Sequence, residues 1–443
     1  MIDKLPLIFR DKCFYICTMG LMFTGMAFFP GFMSPDSLAQ YASSQSLVFD
    51  DWHPPIMSWV WSLLNFYFKG PEGLLYFHLA LLWGAIFIWN FSYRENKLSW
   101  MIFLLPILPW VINFSGVLWK DVGMAFSLLL FSSFALLRRT PLRTFSALLI
   151  LFYAINLRHN SLLAALPMII LVLWRWTEGH SKIKVLVISK LLLVSLFFLG
   201  NFFTYEVLKT SRTNPSFFIM IDDLSHLSMK NEKSLIPGIA YEDIEACSSQ
   251  IIAETQLVGR HFCLSQKKSY QQNNPYENDL KKTWIRAILA HPIDYLKFRI
   301  SAFSFLMRSP AEHPIYIWHP GIDVNDKGLK QHRNGATLLI EWYVKKAVKR
   351  APFLFKPYWW LWFSLVLLLT TFLFQKNPTI PITQALLSSS ILYMLGYIPL
   401  TPMADFRYTY WSVLATSLAT ILFIIEIYRL KISKIKSNSK YKK

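Results

Sequence analysis

Charged residues are scarce in this sequence. Of its 443 residues only 16% are charged, whereas 54% are hydrophobic. A soluble chain of this length would form two or three domains, and their surfaces would need more charge than the sequence supplies. This shortage excludes an ordinary soluble protein. Because apolar runs recur along most of the chain, the sequence predicts an all-α, polytopic membrane protein.

Acidic residues are scarcer than basic ones. The chain has 26 Asp and Glu against 45 Lys and Arg, which gives a net charge of +19. Such a surplus can indicate a nucleic-acid partner, but here much of it lies in short links between apolar runs and in the tail YRLKISKIKSNSKYKK. That distribution is typical of the cytoplasmic side of a membrane protein. We therefore expect the lipid bilayer as a partner and no nucleic acid.

Cysteine is also rare, with four in the whole chain. Cys13 and Cys17 fall in the first apolar run, where free thiols behave as small apolar residues. Cys247 and Cys263 fall in a long hydrophilic stretch. If that stretch lies outside the cytosol they can form a disulfide, and two unpaired thiols are an equal alternative.

The apolar runs divide the chain into three parts. A helix needs about 20 apolar residues to cross a bilayer, and fewer where the bilayer is thinned. By this criterion the apolar runs of the sequence predict about ten spans. A transmembrane module covers 1–204, a mainly helical extracytoplasmic segment covers 205–357, and C-terminal transmembrane helices with a basic tail cover 358–443. The predicted spans are 13–30, 73–92, 99–117, 122–137, 143–157, 161–176, 185–204, 358–375, 380–400 and 408–428.

Basic residues set the predicted orientation. The N-terminus and the link after each even-numbered span are basic, as Lys4, Arg94, Arg138, Arg175 and Lys376 illustrate. Because Lys and Arg accumulate on the cytoplasmic side, both termini are expected in the cytoplasm. The other links, including 31–72, then face outward. Within 205–357, the stretches DYLKFRISAFSFLM and TLLIEWYVKKAVKRAPFLF are predicted to lie along the membrane face.

Polar side chains gather in the outward links. The first loop, SPDSLAQYASSQSLVFDDWHPP, holds three carboxylates and a His, and the turns LWKDVG, LRHNS and PMADFRY add further charges. Charges at a membrane boundary are costly unless they are paired or functional, so this convergence indicates a site. The residues concerned are Asp36, Asp50, Asp51, His53, Lys120, Asp121, Arg158, His159, Asn160, Asp405 and Arg407.

These residue types suit group transfer from a lipid phosphate to a hydroxyl. A carboxylate can accept the proton of an attacking hydroxyl. Arg, Lys and His at the headgroup level can bind phosphate, and Arg can bind it bidentately. A lipid-phosphate leaving group needs no protonation, so no cofactor is required, although the carboxylates of the first loop could hold a divalent cation.

Each residue also has a purely structural interpretation. Asp36 follows Ser-Pro, a pattern typical of a helix start. Lys120 and Asp121 could pair with each other beside Trp119 in an interfacial turn. Arg407 could pair with a neighbouring carboxylate. The scattered His residues lack the spacing of metal ligands, so the sequence names no metal site.

The order of these motifs resembles the GT-C superfamily of integral-membrane glycosyltransferases. Within it, the chain is most similar to bacterial lipid-phosphate-sugar-dependent members related to the protein O-mannosyltransferase and aminoarabinose transferase group. The elements are PGFMSPDSLAQY, DWHPP, LWKDVGMAFSLLL and LRHNS, and the resemblance covers spans one to six well and the rest weakly. It implies a helical bundle in the bacterial inner membrane, with amphipathic helices in the first outer loop.

The resemblance also implies roles for residues. Asp36 would be the general base and Asp121 the second acidic residue. The basic residue before Pro-Pro, often Lys in the relatives, is His53 here, and neutral His binds anions poorly. The donor phosphate would be bound by His53, Lys120, Arg158, His159 and Arg407, with support from Asp51 and Asn160. The implied reaction moves a sugar from a polyprenyl-phosphate donor to a hydroxyl of a glycan, lipid or protein, with inversion.

Two other functions use similar residues. A flippase or transporter of lipid-linked glycans would line a path with the same cations, but such proteins tend to have paired interrupted helices in two related halves, and the sequence shows no such pairing. A glycan polymerase or ligase would also have a large outer segment, but with Arg-rich late loops rather than an Asp in the first loop. The sequence therefore favours a glycosyltransferase.

Overall fold

The computed structural model describes residues 11–177, 181–253, 258–272, 279–308, 314, 316–331, 333–374, 377 and 379–440. Within these ranges the fold is all-α, as the sequence predicts. They contain no β-strand, and their β-type pairings are three isolated bridges. Lys4 and Lys376, which contribute to the predicted orientation, lie outside this part of the chain.

The first half of the chain forms a helical bundle. Proline at the first position starts several of its helices, because the fixed φ of proline suits a helix N-terminus. The helices are α1 (Lys12–Phe28), α2 (Pro35–Ser46), α3 (Pro55–Leu64), α4 (Glu72–Tyr93), α5 (Pro109–Ile112), α6 (Lys120–Ser133), α7 (Pro141–Leu157), α8 (Ser161–Trp176) and α9 (Lys182–Phe202).

The second half contains a helical lobe and the C-terminal helices. The lobe comprises α10 (Phe217–Lys230), α11 (Tyr241–Ala253), α12 (Arg260–Leu264), α13 (Lys268–Gln272), α14 (Leu280–Ala290) and α15 (Pro292–Met307). The remaining helices are α16 (Gly335–Arg350), α17 (Pro357–Thr371), α18 (Ile380–Leu395) and α19 (Tyr410–Lys440).

Four helical stretches are long and apolar enough to cross a membrane. They are Glu72–Tyr93, Lys182–Val207, Pro357–Phe374 and Phe406–Lys431. Four shorter apolar helices correspond to other predicted spans: Lys12–Phe28, Pro141–Leu157, Ser161–Trp176 and Ile380–Leu395. A fifth, Pro55–Leu64, lies within the predicted first loop, 31–72. The structure therefore supports a membrane protein but does not show ten spans.

The predicted span 99–117 is wrong as a single helix. The chain there forms a 3-10 helix, Ser99–Ile107, followed by the four-residue α5. Pro106 lies inside the first piece and Pro109 starts the second. Proline lacks the amide donor that a continuous α-helix needs, so the two prolines interrupt this segment.

The bundle is built around α6. Nearly every residue of this helix is buried, and it contacts α4, α7, α8 and α19. Hydroxyl groups join the C-terminal helices: Ser364 Oγ lies 2.6 Å from Thr416 Oγ1, and Ser390 Oγ lies 2.9 Å from the same atom. Hydroxyls that bond across apolar helices stabilise helix contacts where water is absent.

The lobe has its own core within the predicted 205–357 segment. Apolar residues of α10 to α14 pack together, and a disulfide joins Cys247 to Cys263. By contrast, Ile340 and Val344 of α16 belong to the core of the bundle. The predicted segment therefore contains two parts: a lobe with a core formed by α10 to α14, and a later part, including the end of α15 and α16, that packs on the bundle.

Candidate functional site

Three segments far apart in sequence meet just before Asp36. Phe32 N donates to Gly116 O (2.8 Å), and Leu118 N donates to Phe32 O (2.9 Å). On the other side, Met33 N donates to Gly321 O (2.8 Å). These backbone bonds form parallel bridges on both sides of residues 32–33. The first loop is thus held between the 116–118 turn and the 321–323 segment.

Side chains then fix the start of α2. Ser37 Oγ donates to Leu118 O (2.8 Å), and Trp119 Nε1 donates to Ser34 Oγ (2.8 Å). Both bonds lie in buried surroundings and cross more than 80 residues of sequence. Asp36, in the first turn of α2, is therefore placed beside the Trp119–Asp121 turn, as the sequence predicts.

Asp36 and Asp405 share one arginine. Asp36 Oδ2 lies 3.0 Å from Arg407 Nη1, and Asp405 Oδ2 lies 3.2 Å from Arg407 Nε. The Asp36 side chain is 35% exposed, against 17% for Asp405. Burial by itself would raise the pKa of Asp36, but the charges of Arg407 and Lys120 outweigh it and hold that pKa below its ordinary value. Asp36 is therefore ionised and open to solvent.

Asp405 behaves differently although it contacts the same guanidinium. Burial raises the pKa of its carboxyl above the ordinary value, and the Arg407 charge offsets only part of that effect. A carboxylate that contacts Arg407 and is less exposed than Asp36 is suited to orienting that arginine. Asp405 therefore supports Arg407 in its position next to Asp36.

Asp121 and Arg158 form the second ion pair of the site. Arg158 Nη1 contacts Asp121 Oδ1, and the side chains are 12% and 1% exposed respectively. The carboxylate of Asp121 is thus covered, and its Oδ2 atom has no hydrogen-bond partner among the described residues. Asp121 is therefore a buried partner of Arg158.

Tyr408 connects the two ion pairs. Its ring centroid lies 4.7 Å from Arg158 Cζ and 5.2 Å from Arg407 Cζ. Guanidinium groups at these distances are attracted by the negative face of an aromatic ring. The two arginines therefore belong to one cluster, in which Arg407 contacts Asp36 and Arg158 contacts Asp121.

Lys120 is adjacent to both carboxylates and forms no ion pair with the residues that the structure describes. Its charge lowers the pKa of Asp36 and also that of His53. Burial is the main cause for His53 and brings its pKa to about 4, so its imidazole is neutral at neutral pH. His53 Nδ1 is buried without a partner in the described part of the chain. His53 can therefore supply a hydrogen bond here, and Lys120 a charge.

The other predicted residues border this cluster. His159 is exposed, and desolvation together with Lys120 and Arg158 lowers its pKa. Asn160 is buried beside Tyr397 at the start of α8. Asp51 instead fastens the first loop to the segment after α9, because it accepts hydrogen bonds from Thr213 N (2.6 Å) and Tyr205 Oη (3.0 Å).

A segment that the sequence did not single out also reaches the site. Tyr316 stacks on Trp119 with ring centroids 5.6 Å apart, and its hydroxyl lies 2.9 Å from His319 Nδ1. Arg407 Cζ lies 4.7 Å from the Trp119 centroid. Trp119 is 1% exposed, so it is a buried support for Arg407 rather than an interfacial anchor. The aromatic motif IYIWHP is the sequence signal that could have indicated this segment.

The cluster is balanced in charge. It combines three carboxylates with three cations: Asp36, Asp121, Asp405, Lys120, Arg158 and Arg407. Because the arginines already have acidic partners, Lys120 is the cation best placed to attract a further anion. Among the described residues no three His, Cys, Asp or Glu side chains are grouped as a metal site would require, so no ligand set for a divalent cation can be named.

Comparisons with known proteins do not identify a family. No family model matches the chain, and no curated protein and no solved structure is similar to it. The chemistry of the site must therefore be argued from its own geometry.

Proposed function

We propose that this protein transfers a sugar from a polyprenyl-phosphate donor to a hydroxyl of an acceptor, with Asp36 as the general base. One observation carries the proposal: an ionised, partly exposed carboxylate lies within the electrostatic reach of a lysine that has no ion pair in the described structure. A base next to an uncommitted cation is what attack by a hydroxyl on a phosphate-activated carbon requires.

The reaction is a single displacement. The acceptor oxygen attacks the anomeric carbon while its proton passes to the Asp36 carboxylate. The bond between the anomeric carbon and the phosphate oxygen breaks, and its electron pair stays on the lipid phosphate. Attack opposite to the leaving group inverts the anomeric centre. Lys120 stabilises the charge that develops on the departing phosphate, because an ammonium already in place needs no reorganisation.

The remaining residues have supporting roles in this proposal. Arg158 and Arg407 extend the cationic side of the pocket, and their carboxylate partners Asp121 and Asp405 hold them in place. His53 contributes a hydrogen bond rather than the charge of the lysine that often stands before Pro-Pro in the GT-C superfamily. The acceptor can be a glycan, a lipid or a protein. The order of motifs resembling the GT-C superfamily supports this assignment.

The proposal includes a location for the site. About ten crossings, counting the short and the interrupted apolar segments, would place both termini in the cytoplasm of a bacterium and Asp36 at the outer side of the inner membrane. The disulfide Cys247–Cys263 supports this sidedness, because disulfides persist in oxidising compartments.

The test uses purified protein in proteoliposomes with a polyprenyl-phosphate sugar labelled in the sugar. Transfer predicts that label leaves the lipid and appears on an added acceptor. A flippase would instead change the leaflet of intact donor without bond cleavage, and a polymerase would give products of increasing length. The proposal would be contradicted if no acceptor from an envelope extract caused label to leave the lipid while the intact donor moved between leaflets.

A further inference from the structure

The helix α16 has an apolar surface that no described residue covers. Ile340 and Val344 on one side are buried at 3% and 0% exposure. On the other side Leu338, Leu339 and Trp342 are 51%, 56% and 58% exposed. Scattered exposed apolar residues are ordinary, but three on one helix face indicate contact with something apolar.

Both ends of α16 are tied to the ends of apolar helices. At its N-terminus, Asn334 Nδ2 donates to Met26 O (2.8 Å) and Thr337 Oγ1 donates to Ala27 O (2.5 Å), at the end of α1. At its C-terminus, the 3-10 helix Pro352–Phe355 leads directly into α17, which begins a stretch long enough to span a membrane. The whole helix is therefore held at the level where these apolar helices end.

The neighbouring helices expose apolar side chains as well. On α1, Met22 and Met26 are 68% and 55% exposed, and on α17, Trp362 and Val366 are 61% and 57% exposed. These helices are apolar through most of their length, so their exposed sides are suited to lipid. The apolar face of α16 continues the same surface at its edge.

Basic residues occupy the second half of α16. They are Lys345, Lys346, Lys349 and Arg350. Lys345 Nζ lies 2.7 Å from Glu341 Oε1, and Lys346 Nζ lies 5.6 Å from the Trp342 centroid. Cations in the last turn complement the helix dipole, which accounts for Lys349 and Arg350 in part. The dipole does not account for the exposed apolar side chains beside them.

We propose that α16 lies in the membrane interface and binds anionic phospholipid headgroups. Leu338, Leu339 and Trp342 would enter the boundary between headgroups and acyl chains, and Lys349 and Arg350 would contact the phosphates. An apolar face together with a basic flank is the combination that holds a helix on an anionic bilayer. The inference does not rest on the proposed transferase activity.

The first test measures the depth of α16. A fluorophore sensitive to quenching is attached to Leu338→Cys, with Cys13 and Cys17 changed to Ala, in proteoliposomes of equal parts phosphatidylcholine and phosphatidylglycerol. A label at Glu242→Cys, on the exposed side of α11, is the control. Lipids with brominated acyl chains should quench the label at 338, and aqueous iodide should quench the label at 242.

Two outcomes would overturn the proposal. Equal quenching by iodide at both positions would place α16 in water. Shielding of position 338 from both quenchers, together with crosslinking of two chains, would show that a second copy covers the face. If Leu338→Cys does not fold, the label at Leu339→Cys gives the same test, because the neighbouring side chain is equally exposed.

The second test measures the charge contribution. Native mass spectrometry gives the apparent Kd of the purified protein for phosphatidylglycerol. The test variant is Lys349→Gln/Arg350→Gln, and the control is Lys281→Gln/Lys282→Gln on the lobe. Each surface cation contributes about five-fold to the binding of an anionic bilayer, so the first variant should raise the Kd by up to about 25-fold. An equal change in both variants would remove the headgroup contact from the proposal.

Discussion

Two regions of this molecule contain Asp–Arg ion pairs, but in different surroundings. In the lobe, Asp222 pairs with Arg260 and Asp223 pairs with Arg299, and every one of these side chains is at most 4% exposed. In the charged cluster around Arg407 and Arg158, called the pocket from here on, Asp36 is 35% exposed and Arg407 is 14% exposed. The same chemical pair is enclosed in one region and open in the other.

The electrostatics differ accordingly. In the lobe, burial outweighs the arginines and raises the pKa of Asp222 and of Asp223. Additional bonds compensate there: Gly259 N donates to Asp222, and Trp284 Nε1 donates to Asp223 (2.8 Å). In the pocket, cations outweigh burial and lower the pKa of Asp36. The lobe pairs thus have the features of structural interactions, whereas Asp36 is an accessible base.

The largest expected effect comes from Asp36→Asn. An amide cannot accept the proton of the attacking hydroxyl, so we expect transfer to fall by about 100-fold or more. The side chain keeps its size, so the amount of protein in the membrane should not change. Sugar transfer and membrane abundance are measured in the same preparations.

The matched control for this variant is Asp50→Asn. Asp50 lies in the same loop, and among the described residues its carboxylate accepts one hydrogen bond, from Trp52 N (2.9 Å). It should retain most of the activity. Near-normal transfer by Asp36→Asn would remove Asp36 from the mechanism. The difference in exposure between the pocket and the lobe would then have no catalytic consequence.

The second prediction concerns stability and uses the lobe. Asp223→Ala leaves Arg299 buried without its carboxylate, and breaking a buried pair in this way costs about 3–5 kcal/mol. We expect early unfolding of the lobe, seen as proteolytic cleavage between 217 and 307 at lower temperature. Asp279→Asn breaks the exposed pair with Lys282 and should cost less than about 1 kcal/mol. Equal protease resistance of the two variants would contradict a structural role for the buried pair.

Much of the coarse architecture could be predicted from the sequence. Apolar runs locate most helices, because burial and helix formation depend on local composition. The polar links also indicate which residues meet: Asp36, Lys120, Asp121, Arg158 and Arg407 lie in one cluster, as expected. Exact pairings could not be predicted in the same way. Asp36 meets Arg407 across 371 residues, and no local pattern encodes that choice.

Other features required three-dimensional information. The segment 99–117 is apolar enough to suggest a span, but Pro106 and Pro109 interrupt it. The position of Tyr408 between two arginines and the stacking of Tyr316 on Trp119 depend on how separate segments pack. Accessibility is likewise a property of the fold, so the difference between the covered Asp121 and the open Asp36 could not be read from the sequence.

A third prediction concerns binding of the donor. Arg158→Ala removes a cation from the pocket and should raise the apparent KM for the lipid donor by about ten-fold, as expected for one lost charged contact. The variant also leaves Asp121 buried and unpaired, which could reduce the folded fraction. The double variant Asp121→Asn/Arg158→Ala removes both charges and separates these effects. An unchanged donor KM in folded protein would make Arg158 purely structural.

The smallest expected effect is a shift in pH dependence. The pKa of Asp36 is lowered, so its carboxylate remains ionised to a lower pH than usual, and kcat/KM should decline only as the pH falls through that lowered pKa. Lys120→Gln removes a charge that lowers this pKa, so the acid limb of the profile should move to higher pH. His53→Gln should shift the limb less, because the charge of His53 lowers the pKa of Asp36 by less than the charge of Lys120 does. If Lys120→Gln leaves the acid limb where it is, Lys120 does not act on Asp36, and the pocket would resemble the lobe in being a set of closed pairs.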